Sequence, residues 1–331
     1  MRPFKFVEAE SVAQACHLLE TGLGSTRLIA GGTDLMGEIK EGVVGPSTLI
    51  SILNLSELQG VEAESEGLRI GALTTLAQLE DHPEIAKAFP ALHQAVSSVA
   101  TPQIRNVGTI GGNLCQRPRC WYYRSSLFDC RKKGGPTCFA ITGNNKYHAI
   151  FGGMDCFIVH PSDLAVALIS LRAEAIIAGP DGYRTLPLEE FFVAPDHNIL
   201  AETVLQPGEI LTLVTVPRAS QHHRSAYLKA RERQTQDFAL ASVAIAMELS
   251  DGVVHDVRIT LGGVAPIPLQ VPHAEDAVRG RSVEEIDPES VAQLAMRHAR
   301  PLRDNRYKVP LTASLIARGV RSLVESDGSC D

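Results

Sequence analysis

Residues 101–114 read TPQIRNVGTIGGNL, and residues 30–35 upstream read AGGTDL. Each stretch is built around a glycine pair, Gly31-Gly32 in one and Gly111-Gly112 in the other. Paired glycines permit positive φ and let a ligand approach the backbone closely. Consecutive N–H groups in such a loop form an anion-binding nest of the size a pyrophosphate needs. Thr33, Thr109 and Asn113 add side-chain donors. The alternative is two tight turns at strand ends, since glycine is the default turn residue. Neither loop is a Rossmann fingerprint or a P-loop. Gly22-Leu23-Gly24 lacks a third glycine and follows no strand, and no G-x-x-x-x-G-K-[ST] occurs. A nicotinamide domain of the usual type and a nucleotide hydrolase are both unsupported.

The second loop runs directly into a cysteine-rich segment. Five of the chain's seven cysteines (Cys115, Cys120, Cys130, Cys138 and Cys156) lie between residues 111 and 156. The intervals are Cys115-x4-Cys120, Cys120-x9-Cys130, Cys130-x7-Cys138 and Cys138-x17-Cys156. Arg117, Arg119, Arg124, Arg131, Lys132 and Lys133 surround them, with Trp121, Tyr122 and Tyr123 interleaved. This crowding points to a metal centre beside a cofactor loop. Structural zinc sites use close C-x2–4-C pairs, which only the first interval approaches. A disulfide framework is unattractive, because the cysteines are odd in number and a chain of 331 residues can bury a large core without bridges.

Over the whole chain the composition is ordinary, with 44% apolar residues and a net charge of −7. That charge argues against a general nucleic-acid binder. No apolar run reaches the roughly 18 residues of a membrane helix, and the start MRPFKFVEAES lacks the apolar core of a signal peptide. The expected location is cytoplasmic, or periplasmic if a signal-bearing partner carries the chain across. A capping box at Ser11 and Gln14 opens a first helix with Cys16 on its apolar side. Strands are expected at 27–30, 48–53, 68–73, 156–160, 173–178 and 209–216, and helices at 83–99 and 164–171, the latter capped by Asp163. From residue 224 the texture changes to long strands at 226–230, 239–249 and 253–262, followed by helices at 288–300 and 311–324. Strands followed by helices indicate a separate α+β domain. The tail at 327–331, with Cys330, is expected to fray.

Taken in order, AGGTDL, TPQIRNVGTIGGNL, HPSDLAVAL (160–168), YLKARER (227–233) and ITLGGVAPIP (259–268) resemble the flavin-binding medium subunits of the xanthine dehydrogenase and carbon monoxide dehydrogenase family of molybdenum hydroxylases. The resemblance spans nearly the whole chain. It implies an α+β fold in which a two-subdomain, PCMH-type (vanillyl-alcohol-oxidase-like) FAD-binding domain at 1–218 precedes a CO dehydrogenase flavoprotein C-terminal-like domain at 222–326. It further implies that Leu28, Ile29, Ala30, Gly31, Gly32, Thr33 and Asp34, with Thr109, Gly111, Gly112 and Asn113, hold or border FAD. Asp163 and Lys229 match family positions near that cofactor.

The cysteine segment resembles the subgroup with a 4Fe-4S insertion, seen in periplasmic aldehyde oxidoreductases and 4-hydroxybenzoyl-CoA reductases. That resemblance makes Cys120, Cys130, Cys138 and Cys156 the cluster ligands and Cys115 a spare, buried thiol. Four thiolates on such a core leave net negative charge, which the neighbouring Arg and Lys residues are expected to offset. His148 and His160 read as structural, and no acid–base or nucleophile constellation is present. The implied function is electron transfer without a catalytic side chain of its own. A large molybdenum-cofactor subunit would oxidise an aldehyde or N-heterocycle, and a small 2Fe-2S subunit would pass electrons to FAD here and on to an external acceptor. Alternatives are a hydroxybenzoyl-CoA-reductase type with reversed flow, a non-flavin metal-binding scaffold and an independent flavin oxidase.

Overall fold

The computed structural model describes residues 2–22 and 24–325, so the tail and Cys330 lie outside the described residues. Three sheets organise the chain. The first is parallel, with Thr48–Ser51 between Lys5–Glu8 and Thr26–Ile29. Helix Val12–Thr21 connects its outer strands and buries Val12, Ala15 and Cys16. Ser11 Oγ accepts from the Gln14 N–H, as a cap should, whereas the Gln14 side chain takes the N–H of Glu10 rather than that of Ser11. The second sheet is antiparallel, in the order Val61–Glu64, Gly67–Gly71, Ile210–Pro217, Glu174–Gly179, Gly182–Pro187. The third, also antiparallel, runs Leu269–Gln270, Val253–Gly262, Ala241–Ser250, His223–Ala230.

The third sheet is covered on both faces. Alternate residues of a strand point to opposite sides. Along Ala241–Ser250, Ala244 and Ala246 join the core formed with helices Pro90–Ser97 and Asp163–Ser170. Val243, Ile245 and Met247 join a second core under helices Pro288–Met296 and Lys308–Val324. The C-terminal strands and helices form the α+β unit expected from the sequence, but one side of that unit is packed against the preceding part of the chain. At the turn joining its two longest strands, Asp251 and Gly252 have φ of 52° and 72°, the left-handed pair an Asp-Gly hairpin uses.

Three expectations are corrected. The helix at 83–99 is two helices, Pro83–Ala88 and Pro90–Ser97, because Pro90 has no N–H and excludes Phe89 from helical geometry. Residues 156–160 form no strand, since their pairing is limited to isolated bonds such as His160 N–H to the Ala265 carbonyl. Helix Asp163–Ser170 is capped by Ser162, whose Oγ accepts from the Ala165 N–H, which frees the Asp163 carboxylate for other partners.

Candidate functional site: a glycine-lined cleft beside a thiol pocket

One cavity of about 480 Å³ gathers every cofactor residue expected from the sequence: Leu28, Ile29, Ala30, Gly31, Gly32, Thr33, Asp34, Thr109, Gly111, Gly112, Asn113, Asp163 and Lys229. The two glycine loops meet in it but differ in kind. At Gly31 a Cβ would lie 1.8 Å from the Val107 carbonyl oxygen, so only glycine lets the first loop cross the second. Gly32 has φ of 69°. The N–H groups of Gly31, Gly32 and Thr33 have no acceptor among the described residues. In the second loop these groups are taken. Ile110 donates to the Thr74 carbonyl, Gly111 to the Ala72 carbonyl at 2.9 Å, and Gly112 to Thr109 Oγ1 at 3.1 Å. An open nest is therefore present in the first loop alone. In the second, Gly111 allows close packing, since its Cβ would meet the Ala72 oxygen at 2.9 Å.

Buried charge fixes the cleft walls. Asp163 accepts from Lys229 Nζ at 2.7 Å and from Tyr227 Oη at 2.5 Å, and Lys229 also reaches the Ser98 carbonyl. Burial, then the Asp163 charge, raise the Tyr227 hydroxyl well above its ordinary value, so it stays a donor. Asp34 faces the cysteine segment: its carboxylate accepts from the Arg117 N–H at 2.7 Å and pairs with Arg124 at 2.6 Å and Arg119 at 3.0 Å. Glu202 is clamped between Arg117 at 2.5 Å and Lys132 at 2.6 Å. The phenol of Tyr123 donates to buried Glu38 at 2.8 Å. Burial raises Glu38 above its ordinary value, although that hydrogen bond opposes the shift. Arg119 and Arg124 thus serve the glycine loop rather than the thiols. Arg131 and Lys132 are the basic residues that line the thiol pocket.

That pocket is a small void, about 10 Å³, lined by Cys120, Cys130, Cys138 and Cys156 together. All four are free thiols. Interaction between the Cys138 and Cys156 side chains lowers Cys138 to about 6 and raises Cys156. Burial pushes Cys120 up to about 11. Among the described residues no group of three or more His, Cys, Asp or Glu is arranged to hold a metal ion. Cys115 does not line the void; it lines the cleft, and burial pushes it up to about 12. Cys16 is buried, with its thiol 3.8 Å from the Ala178 carbonyl.

Between cleft and void lies a third cavity of about 420 Å³. It shares Arg119, Pro161, Asp163, Asp237 and Phe238 with the cleft, and Cys120, His148 and Ile158 with the void. The Arg119 guanidinium sits 4.9 Å from the Phe238 ring centre. Trp121 borders this cavity, Tyr122 packs on Phe128 and Phe139, and Tyr123 is buried. Sequence patterns gave no signal for Glu202, whose partners Arg117 and Lys132 lie far away along the chain, or for the placement of His148 against Cys120.

The chain combines a two-sheet α/β scaffold holding a glycine-lined cleft with an appended antiparallel-sheet domain. Residues 2–219 match the FAD binding domain in molybdopterin dehydrogenase, and residues 225–323 match the CO dehydrogenase flavoprotein C-terminal domain. The FAD-binding subunit of an aldehyde oxidoreductase from Escherichia coli K12 is 33% identical over 96% of this chain and 97% of its own length. The carbon monoxide dehydrogenase medium chain of Hydrogenophaga pseudoflava is 28% identical over 96% of each chain. A solved structure of carbon monoxide dehydrogenase from that organism superposes with a TM-score of 0.77, at 27% identity and 98% coverage of both chains. The chain belongs to the family of FAD-binding medium subunits of carbon monoxide and xanthine dehydrogenases. It is a subunit of an oxidoreductase of the molybdenum hydroxylase type. Among the described residues no helix is long and apolar enough to cross a membrane.

Proposed function

We propose that this chain is the electron-transfer subunit of a heterotrimeric, aldehyde-oxidising molybdenum hydroxylase. It holds FAD in the glycine-lined cleft and a 4Fe-4S cluster on Cys120, Cys130, Cys138 and Cys156. The FAD-binding domain is assigned to residues 1–218, with the cluster segment at 115–156, and the C-terminal domain to 222–326. The observation that carries the reading is the convergence of those four thiols on one void that adjoins the cavity next to the cleft. The relative named as an aldehyde oxidoreductase subunit supports the substrate class.

When bound, the two cofactors supply electron transfer between a small 2Fe-2S partner, which serves the large molybdenum subunit, and an external acceptor. The chain's own residues bind and orient. The free N–H groups of Gly31, Gly32 and Thr33 suit the FAD pyrophosphate oxygens. Gly111 and Gly112 keep side-chain bulk out of the facing wall. Lys229 and Asp163 present a fixed, mutually neutralised pair at the border of the cleft. Leu28, Ile29 and Ala30 shape its floor. Asp34 ties the cluster segment to the FAD loop, and Glu202 ties Arg117 to Lys132 within that segment.

Four thiolates on a single zinc would crowd their sulfurs within about 4 Å of one another, whereas an iron–sulfur cube spreads them over four metal corners. FAD binding sets aside the non-flavin scaffold.

The test is anaerobic purification of the complex with FAD, iron and acid-labile sulfide measured per chain. The expected content is about one FAD with about four iron and four sulfide. Cys120→Ser or Cys138→Ser removes the iron, and Cys115→Ala leaves it. FAD without iron from an oxygen-protected preparation overturns the cluster, and iron lost only from Cys115→Ala overturns the ligand set.

A further inference from the structure

His148 is a buried residue that the family match leaves without a role. Its Nε2 lies 3.2 Å from Cys120 Sγ, and the ring forms part of the wall between the thiol void and the cavity next to the cleft. The ring is 4% exposed and flanked by Trp121 and Tyr122, with centroids 6.2 and 5.9 Å away. Its backbone is pinned on both sides. The N–H donates to the Asn145 carbonyl at 3.0 Å, and the carbonyl accepts from Asn305 Nδ2 at 3.0 Å. Asn305 is fully buried and also holds the Ala149 carbonyl at 3.1 Å. The imidazole is therefore aimed at one sulfur by a scaffold anchored in the C-terminal domain.

We infer that His148 is a positioning residue whose Nε2–H donates a hydrogen bond to the Cys120 sulfur and raises the reduction potential of the cluster. The inference rests on the cluster reading above. A cysteine that ligates iron is a thiolate and carries no proton, so the hydrogen in this contact belongs to the nitrogen. Reduction by one electron adds negative charge that the thiolates share. An N–H donor stabilises that added charge more than it stabilises the oxidised form, which moves the potential upward. The hydrogen stays on nitrogen throughout, and no covalent bond forms or breaks.

The experiment uses the anaerobically purified complex and an EPR-monitored redox titration of the wild type, H148Q and H148F. Iron content of the wild type is read first, and a wild type without iron sinks the cluster reading and this inference with it. With iron present, the expected result is a lower midpoint potential in H148F and recovery toward the wild-type value in H148Q, whose amide N–H replaces the donor. Equal potentials for the wild type and an iron-loaded H148F overturn the inference while leaving the cluster reading intact. A second readout needs no variant. In the reduced wild type with 15N-labelled histidine, ENDOR is expected to show coupling to one 15N and one exchangeable proton. Absence of both overturns the inference even if the variants lose their iron.

Discussion

Lys308 is fully buried, and its Nζ donates to the carbonyls of Gly263 at 2.7 Å and Tyr147 at 2.9 Å. It forms no ion pair among the described residues, and burial lowers it from 10.5 to about 7. An unfolded lysine keeps its proton to about pH 10.4, so between pH 7 and 10 the unfolded chain binds one more proton than the folded one. Stability contributed by this site therefore rises with pH across that window, by about 1.4 kcal/mol per unit, and is flat below it. K308M removes the slope. Urea unfolding of wild type and K308M at pH 7, 8 and 9 measures it, with other titrations cancelling in the difference. Trp121, the chain's one tryptophan, reports locally because its ring lies 5.5 Å from that of Tyr147. Parallel pH profiles would refute the assignment. Nothing in the sequence marks Lys308, since a lysine two residues before Pro310 looks like a solvated linker, and only the fold places it between two strips of backbone. The thiols were legible because cysteine is sparse elsewhere, and Asp34 because it belongs to a motif. The direction of Asp34's carboxylate was not, because its partners Arg117, Arg119 and Arg124 lie more than 80 positions later.

At the scale of elements, the two glycine loops carry similar sequences but do different jobs, and the difference is set by what each backbone meets. The first leaves N–H groups open, and the second satisfies its own against Ala72, Thr74 and Thr109. Gly31→Ala would drive a Cβ to 1.8 Å from the Val107 oxygen, a backbone atom that cannot rotate away. Such overpacking typically costs about 1–3 kcal/mol. At Gly112 the nearest atom, 3.1 Å away, is the Thr109 hydroxyl, which can move. Urea titration of the FAD-free protein is expected to show the larger loss for Gly31→Ala, and the FAD content of the purified holoprotein is expected to fall for the same variant. A smaller loss for Gly31→Ala than for Gly112→Ala contradicts the crossing geometry. Elements with a clear period or a paired turn, such as Val253–Gly262 and the Asp251-Gly252 hairpin, were legible from sequence. Lys5–Glu8 was not, because its side chains are largely exposed and show no apolar alternation. Residues 156–160 looked like a buried strand because an apolar run is equally suited to lining a pocket.

Across the whole molecule, the third sheet acts as a shared wall. Its strands continue without a break from one core to the other, with Tyr227, Ala244 and Ala246 committed to helices Pro90–Ser97 and Asp163–Ser170. Lys229, on the edge strand His223–Ala230 of that wall, reaches back to Asp163 at the border of the cleft. A change of texture at residue 224 is visible in sequence, but this sharing is not, because small residues such as Ala244 and Ala246 give no sign of whether they face solvent or another layer. The consequence can be measured on a fragment of residues 222–325. Its own helices cover Val243, Ile245 and Met247, yet the opposite face loses its cover. Uncovering Tyr227, Ala244 and Ala246 returns apolar surface to water at about 25 cal/mol per Å², and Asp163, the buried partner of Lys229, is removed as well. The fragment is therefore expected to bind a hydrophobic dye and to self-associate in sedimentation, while the full chain does neither. A monomeric, cooperatively folded fragment that binds no dye would show that the sheet's inner face tolerates water and that the cleft is closed by docking of two independent units.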